Sequence, residues 1–459
     1  MSKTLEQNLC SRSFGYAFVR NIFARPLLHL FYRKIDIIGA KDVPDTGPVI
    51  FAPNHQNALM DALVILCAKN RQPVFVARAD IFQKPMIAAI LNFLRILPIY
   101  RKRDGGNSSD NNQETFDLLP KVLHARYAVG IMPEGNHNEI KRLRMLQKGI
   151  FRIAMLAQEK YGNSSMVKII PVGIEYTSTN KFRSDVMIRF GTAIELSDFY
   201  NQYAENQARA FKQMQDALME KMREGMIDIT SDQYYREIER LRVLYMDQAL
   251  QQLGMDCRKA EDRLVAQQKI IAALQKHEQT QPDDMQALCL EVRTYLDGIE
   301  KHRLNDWVIE RQPASLMGLL ARCVVAILGI PFWILGVILN YPPYKISFLA
   351  SRNVKDPQFI SSVQFVAGLV LYPLYHLIAI VLMVLFIPCI WGKFVMVALI
   401  VPLGVIAYEY TLSIKKLIMR FRFWFSKRNK KTEIMEIIGL RKSIFDKMKE
   451  VLGDAGSCS

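Results

Sequence analysis

Along the first residues apolar and basic positions are interleaved. Phe14, Phe18, Ile22, Leu27 and Phe31 alternate with Arg20, Arg25 and Arg33. The pattern predicts an N-terminal amphipathic helix over 1–34, kinked or restarted at Pro26. It suits two placements equally, in a membrane interface or packed on the following domain. From 35 to 197 the rhythm shortens. β-like runs at 49–52, 74–77, 128–132, 168–172 and 186–190 are separated by helical stretches such as 61–69 and 147–160. This alternation predicts one α/β domain, with a polar loop at 105–112. From 198 to 312 the chain is rich in Gln, Glu, Lys, Arg, Met and Ala and poor in proline and glycine, so a helical arm is expected.

After 312 the apolar residues crowd together. No charge occurs in 323–344 or in 365–392, and 394–412 carries only Glu409. A bilayer crossing needs about 20 apolar residues, so 313–414 is expected to be a transmembrane block. A basic tail follows over 415–459. Eight Lys or Arg lie between Lys415 and Lys431, with Phe421, Phe423, Trp424 and Phe425 among them. The positive-inside rule then favours an even number of crossings, with 323–340 re-entrant or interfacial because Pro331 interrupts it. The other two runs would form a hairpin.

Charge and cysteine content narrow the partners. The net charge is +16, which suits nucleic acid or an anionic membrane surface. Its concentration beside apolar and aromatic residues favours the membrane, and no nucleic-acid-binding signature is present. Seven cysteines without a Cys-x-x-Cys pair argue for a reducing compartment. Met1–Gln7 is polar and the next apolar stretch is broken by arginines, which is not the pattern of a secretory leader.

Four segments carry candidate chemistry. In the first, Pro53-Asn54-His55 follows a strand and Asp61 lies six residues beyond the histidine. A neutral imidazole can take a proton from a hydroxyl near neutral pH, and a carboxylate on its other nitrogen fixes the tautomer. On a regular helix the two would stand about 240° apart. They can meet only if His55 lies in the strand-to-helix turn, which Pro53 and Asn54 favour. In the second, Arg101, Lys102 and Arg103 follow the apolar run ending at Ile99; arginine offers a fork for phosphate. In the third, Pro133-Glu134-Gly135-Asn136 follows a strand and holds a carboxylate at its end, with Gly135 permitting an unusual backbone angle or close ligand approach. His137 is expected to be an auxiliary polar contact. The fourth is 169–173, a strand with an internal proline that by itself suggests only an edge strand.

In this order the segments resemble the glycerol-3-phosphate and 1-acylglycerol-3-phosphate acyltransferase superfamily over about 35–196. That family shows Asn-His followed by Asp, an apolar-Pro-x-x-Arg block, Phe-Pro-Glu-Gly and a Val-Pro-Val-like strand. The resemblance implies a mixed-sheet α/β domain in which His55 is the general base and Asp61 orients it. It implies that Arg101 binds the acceptor phosphate in a subsite shaped by Glu134 and Gly135, with Asn54, Arg103, Asn136 and Lys148 as further contacts. It implies no metal or prosthetic group. The co-substrate would be acyl-CoA or acyl-carrier protein, the acceptor a glycerol-phosphate-type alcohol, and the active site cytoplasmic. Lysophospholipid, aminolipid and lipid A precursor acceptors stay open, as does a non-catalytic tether. Two departures stand out. Five residues separate His55 from Asp61 where four is usual, which resembles the branch acting on glycerol 3-phosphate and dihydroxyacetone phosphate. Asn136 replaces the commoner Thr or Ser.

Overall fold

The computed structural model describes residues 3–100, 108–136, 140–161, 166–312 and 315–456. Arg101, Arg103 and His137 lie outside the described residues. The chain forms two compact units. The first comprises Met1–Asp228 and Asn353–Phe365, the second Ile229–Arg352 and Val366–Ser459.

The first unit opens with helices α1 (Lys3–Leu9), α2 (Phe14–Phe18) and α3 (Arg25–Phe31). A π-helical turn, Val19–Ala24, joins the last two, and Pro26 follows it as the second residue of α3. One side of this segment packs inward through Tyr16, Leu28 and Phe31, while Phe14, Phe18 and Ile22 stay exposed. Then follow β1 (Lys34–Ile38), β2 (Val49–Pro53), α4 (Ala58–Ala68), β3 (Val74–Arg78), α5 (Pro85–Phe93), β4 (Ile96–Ile99), α6 (Ser108–His124) and β5 (Ala128–Gly130). The unit continues with α7 (Gly149–Tyr161), β6 (Lys168–Tyr176), β7 (Asp185–Phe190), β8 (Ile194–Glu195), α8 (Tyr200–Glu205) and α9 (Gln207–Gly225). The expected loop over 105–112 is corrected in its second half, because α6 already begins at Ser108. Asn112 explains the anchorage: its side chain donates to the Tyr100 carbonyl and accepts from the Tyr100 N–H, both at 2.7 Å.

The eight strands make one mixed sheet of order β1-β7-β6-β2-β5-β3-β4, with β8 also on β6. Strands β6, β2, β5, β3 and β4 run parallel, whereas β7 and β8 oppose β6. All of β2 is buried. Its side chains alternate between two cores, Ile50 and Ala52 toward one and Val49 and Phe51 toward the other. Helices therefore cover both faces, and the middle strands read as continuous apolar runs. Pro171 lies inside this sheet, which corrects the edge-strand expectation. On one side of β6, β8 pairs with Lys168 and Ile169, and β7 takes over at Val172. The proline occupies the change of neighbour, where a missing ladder N–H is tolerated.

The second unit is helical: α10 (Tyr235–Leu244), α11 (Met246–Gln252), α12 (Ala260–Thr280), α13 (Pro282–Lys301), α14 (Asp306–Arg311), α15 (Leu316–Ala350), α16 (Ile360–Phe386, its first residues belonging to the first unit), α17 (Ile390–Asn429) and α18 (Lys431–Gly456). Helix α18 packs on α12 and α13 through Ile434, Ile444 and Met448. Its basic residues pair with acids of the preceding helices, Lys447 with Glu291 and Arg441 with Asp306, both at 2.7 Å. Among the described residues three helices are long and apolar enough to cross a membrane: Leu316–Ala350, Pro357–Phe386 and Ile390–Asn429.

The expectation that Pro331 interrupts the first of these is corrected, since α15 runs through Pro331, Pro342 and Pro343. Prolines 342 and 343 cannot donate to the carbonyls of Ile338 and Leu339, four residues earlier. Tyr375 donates its hydroxyl to the Ile338 carbonyl at 2.8 Å, so a neighbouring side chain restores what Pro342 removes. Gly336 lets α17 approach closely: a Cβ there would lie 2.2 Å from the Leu403 carbonyl oxygen.

Candidate active site

Strand order explains where the site lies. Strands β5, β2 and β6 are parallel neighbours, so their carboxyl ends meet at one edge of the sheet. Beyond β2 stands His55, beyond β5 stands Glu134, and β6 ends at Tyr176. Asn54 closes the β2 end. Its amide donates to the Ile174 carbonyl at 3.0 Å and accepts from the Ile174 N–H at 2.7 Å, prolonging the ladder after Pro53.

Helix α4 starts at Ala58, so Pro53–Asn57 form the turn required for His55 and Asp61 to meet. Ala58 itself has φ +40°, an uncommon angle for a residue with a side chain, located at the bend between the two groups. The His55 Nδ1 lies 2.8 Å from Asp61 Oδ2. The same oxygen accepts from the Gln56 N–H at 3.0 Å and the Asn57 N–H at 2.8 Å. Asp61 thus reaches back to the start of its own helix, where the dipole also favours negative charge. Its other oxygen, Oδ1, accepts from the Tyr176 hydroxyl at 2.8 Å. With donors on both oxygens the carboxylate acts as acceptor throughout, so Nδ1 of His55 is the protonated nitrogen. The Asp61 side chain is 0% exposed and that of His55 17%. A buried charge of this kind is sustained only by such a set of donors.

Glu134 supports the histidine from the other side. Its Oε1 accepts from the His55 N–H at 3.0 Å. Its Oε2 accepts from Arg144 Nε at 3.2 Å, while Arg144 Nη2 donates to the Asn136 carbonyl. Burial raises the Glu134 carboxyl above the ordinary glutamate range, opposed by the His55 N–H and by Arg144. Gly135 turns the chain with φ +69°, and a Cβ there would stand 3.0 Å from the Gln147 side chain. Lys148 is exposed just ahead of α7. The structure therefore gathers His55, Asp61, Asn54, Glu134 and, through its backbone, Asn136. Sequence reasoning missed Arg144 and Tyr176. Arg144 lies in a basic run ahead of the Lys-Gly pair, a signal available in principle. Tyr176 lies 115 residues from Asp61 in an apolar strand and left none.

Burial also raises the hydroxyl pKa of Tyr176 and of Tyr32 well above the ordinary tyrosine value, with Asp61 adding to both. Both phenols stay protonated, and Tyr176 is the one that donates to Asp61. Asn57 Nδ2 donates to the Thr179 carbonyl at 3.2 Å, and Ser361 donates to the same oxygen. Among the described residues no group of three or more His, Cys, Asp or Glu side chains converges as a metal site would require.

The match to known proteins falls on this region. Residues 34–175 match the family model described as Acyltransferase. Glycerol-3-phosphate O-acyltransferase 1 of Saccharomyces cerevisiae is 21% identical over 311 residues, 48% of this chain and 41% of that protein. The chain thus spans less than half of the yeast relative's length. The 1-acyl-sn-glycerol-3-phosphate acyltransferase of Borreliella burgdorferi is 22% identical over 210 residues, 46% of this chain and 74% of that one. Among solved structures, the 1-acyl-sn-glycerophosphate acyltransferase PlsC of Thermotoga maritima aligns with 47% of this chain and 86% of its own, at 17% identity and a TM-score of 0.33.

Proposed function

We propose, from the match of residues 34–175 to the acyltransferase family model, that the protein transfers a fatty acyl group from a thioester to a hydroxyl of glycerol 3-phosphate or 1-acylglycerol 3-phosphate. The supporting observation is the turn that sets His55 Nδ1 2.8 Å from a wholly buried Asp61 while Glu134 holds the His55 N–H. Nε2 of His55 accepts the proton of the acceptor hydroxyl as its oxygen attacks the thioester carbonyl carbon. The carbon–sulfur bond then breaks, and the departing thiolate takes the proton back from His55. No acyl-enzyme forms. Arg101 binds the acceptor phosphate, with Arg103 and Lys148 as further cationic contacts. The donor is acyl-CoA or acyl-carrier protein.

The three apolar helices favour an integral membrane protein whose acceptor and product stay near the lipid surface. An anionic thioester donor and free thiols such as Cys10 and Cys67 suit the cytoplasmic side. The test is acyl transfer by the purified membrane protein from labelled oleoyl- or palmitoyl-CoA. Glycerol 3-phosphate, 1-acylglycerol 3-phosphate and no acceptor are compared, with His55→Ala alongside. Transfer to one acceptor, lost in His55→Ala, fixes the reaction. Transfer to neither by folded protein rejects both acceptors.

A further inference from the structure

We propose that Tyr176 is a positioning residue of the catalytic pair, setting the charge that Asp61 presents to His55. The role rests on the acyl transfer proposed above. Asp61 Oδ2 is crowded, taking His55 Nδ1 and two backbone N–H groups, whereas Oδ1 is held by the Tyr176 hydroxyl at 2.8 Å. A carboxylate with every donor on one oxygen can swing about its Cβ–Cγ bond. The phenol on the opposite oxygen prevents this and keeps Oδ2 on the imidazole. It also draws electron density from Oδ2, moderating how strongly the protonated imidazole is held. A base that must take a proton and then return it needs that moderation, because over-stabilised imidazolium returns its proton slowly.

The fold makes the contact firm. Tyr176 is the last residue of β6, paired across the sheet with Val186 of β7, and it is 4% exposed. The Tyr32 ring packs against it, 5.9 Å between ring centres. The groups facing the pair are Tyr176 from β6, Tyr32 from the end of α3, and Glu134 from the turn after β5, the last through the His55 N–H. Among the described residues that the structure brings to Asp61, Tyr176 is the side chain other than His55 that donates to it.

The experiment compares Tyr176→Phe, Asp61→Asn and the double variant with the parent enzyme in acyl transfer, recording kcat, acceptor KM, pH profile and thermal midpoint. Tyr176→Phe is expected to lower kcat roughly 5- to 50-fold, an effect below that of removing a general base, with acceptor KM little changed. The acidic limb of its kcat profile moves to higher pH, since an undiluted carboxylate favours protonated His55. In the Asp61→Asn background the added Tyr176→Phe change has no further effect on kcat, as expected if the phenol acts through the carboxylate. A Tyr176→Phe enzyme with parental kcat and pH profile overturns the assignment. So does a loss of kcat that is equal in both backgrounds or that tracks a fallen thermal midpoint with the profile unmoved. Activity that survives His55→Ala would instead overturn the acyl-transfer reading, so the two failures are distinct.

Discussion

Polar side chains are buried in apolar surroundings in both units, to different ends. In the first, donors from the turn between β2 and α4 and from β6 converge on Asp61 of α4, beside an imidazole 17% exposed. In the second, Asn340 is buried between apolar helices. Its Nδ2 donates to the Ile400 carbonyl at 2.9 Å and the Gly336 carbonyl at 3.2 Å, and its Oδ1 meets His376 Nε2 at 3.2 Å. Tyr375 serves the Ile338 carbonyl, which Pro342 cannot. One cluster holds a charge in readiness for a proton; the other joins backbone to backbone. Burial of a histidine is therefore no guide to chemistry until its partners are known. His55 faces a carboxylate and His376 faces an amide oxygen.

The comparison breaks first at His55. His55→Ala should cut acyl transfer by about 10²- to 10⁴-fold, the usual worth of a general base, with the thermal midpoint within a few degrees of the parent. His376→Ala, assayed alongside, should keep most of the activity; an equal loss would erase the distinction. Arg101→Ala should raise acceptor KM roughly 10- to 100-fold with a smaller change in kcat, the expected loss of a charge-assisted phosphate contact. Unchanged KM would point to an acceptor without phosphate.

Glu134 sharpens the comparison through pH. Its folded-state pKa is raised, chiefly by burial, so the folded protein retains this proton to higher pH than the unfolded chain. Its contribution to stability is then greatest in acid and is lost as pH rises from the ordinary glutamate value through the raised one. Glu134→Gln should flatten that part of the stability profile measured by thermal unfolding. An unaltered slope would assign it to other groups. The smallest effect is expected at Asn340→Leu. Interhelical hydrogen bonds in membranes average about 0.6 kcal/mol, so detergent unfolding should shift by roughly 1 kcal/mol with kcat intact.

How much of this was legible follows from distance along the chain. The His55 turn could be read because its cause is local: Pro53 and Asn54 before the helix, and a six-residue spacing that no regular helix could use. Glu134 and Gly135 were legible for the same reason. Tyr176 was not, because a tyrosine closing an apolar strand looks like core until the sheet brings β6 beside β2. Pro331 misled in the opposite direction: its local rule disfavours a continuous helix, yet α15 runs through it. Pro171 was read as an edge-strand residue because the relay from β8 to β7 along β6 is also a nonlocal fact.

Asn353–Phe365 has a further consequence. Ser361 shares the Thr179 carbonyl with Asn57, next to the His55 turn, and Phe365 packs its ring 5.9 Å from Phe31. The first unit is thus non-contiguous in the order of synthesis. Its last piece leaves the ribosome only after residues 229–352, the first long apolar helix included, have been made. Final closure of the region behind Asn57 is timed to follow that helix, and a fragment ending at Asp228 would be born without it.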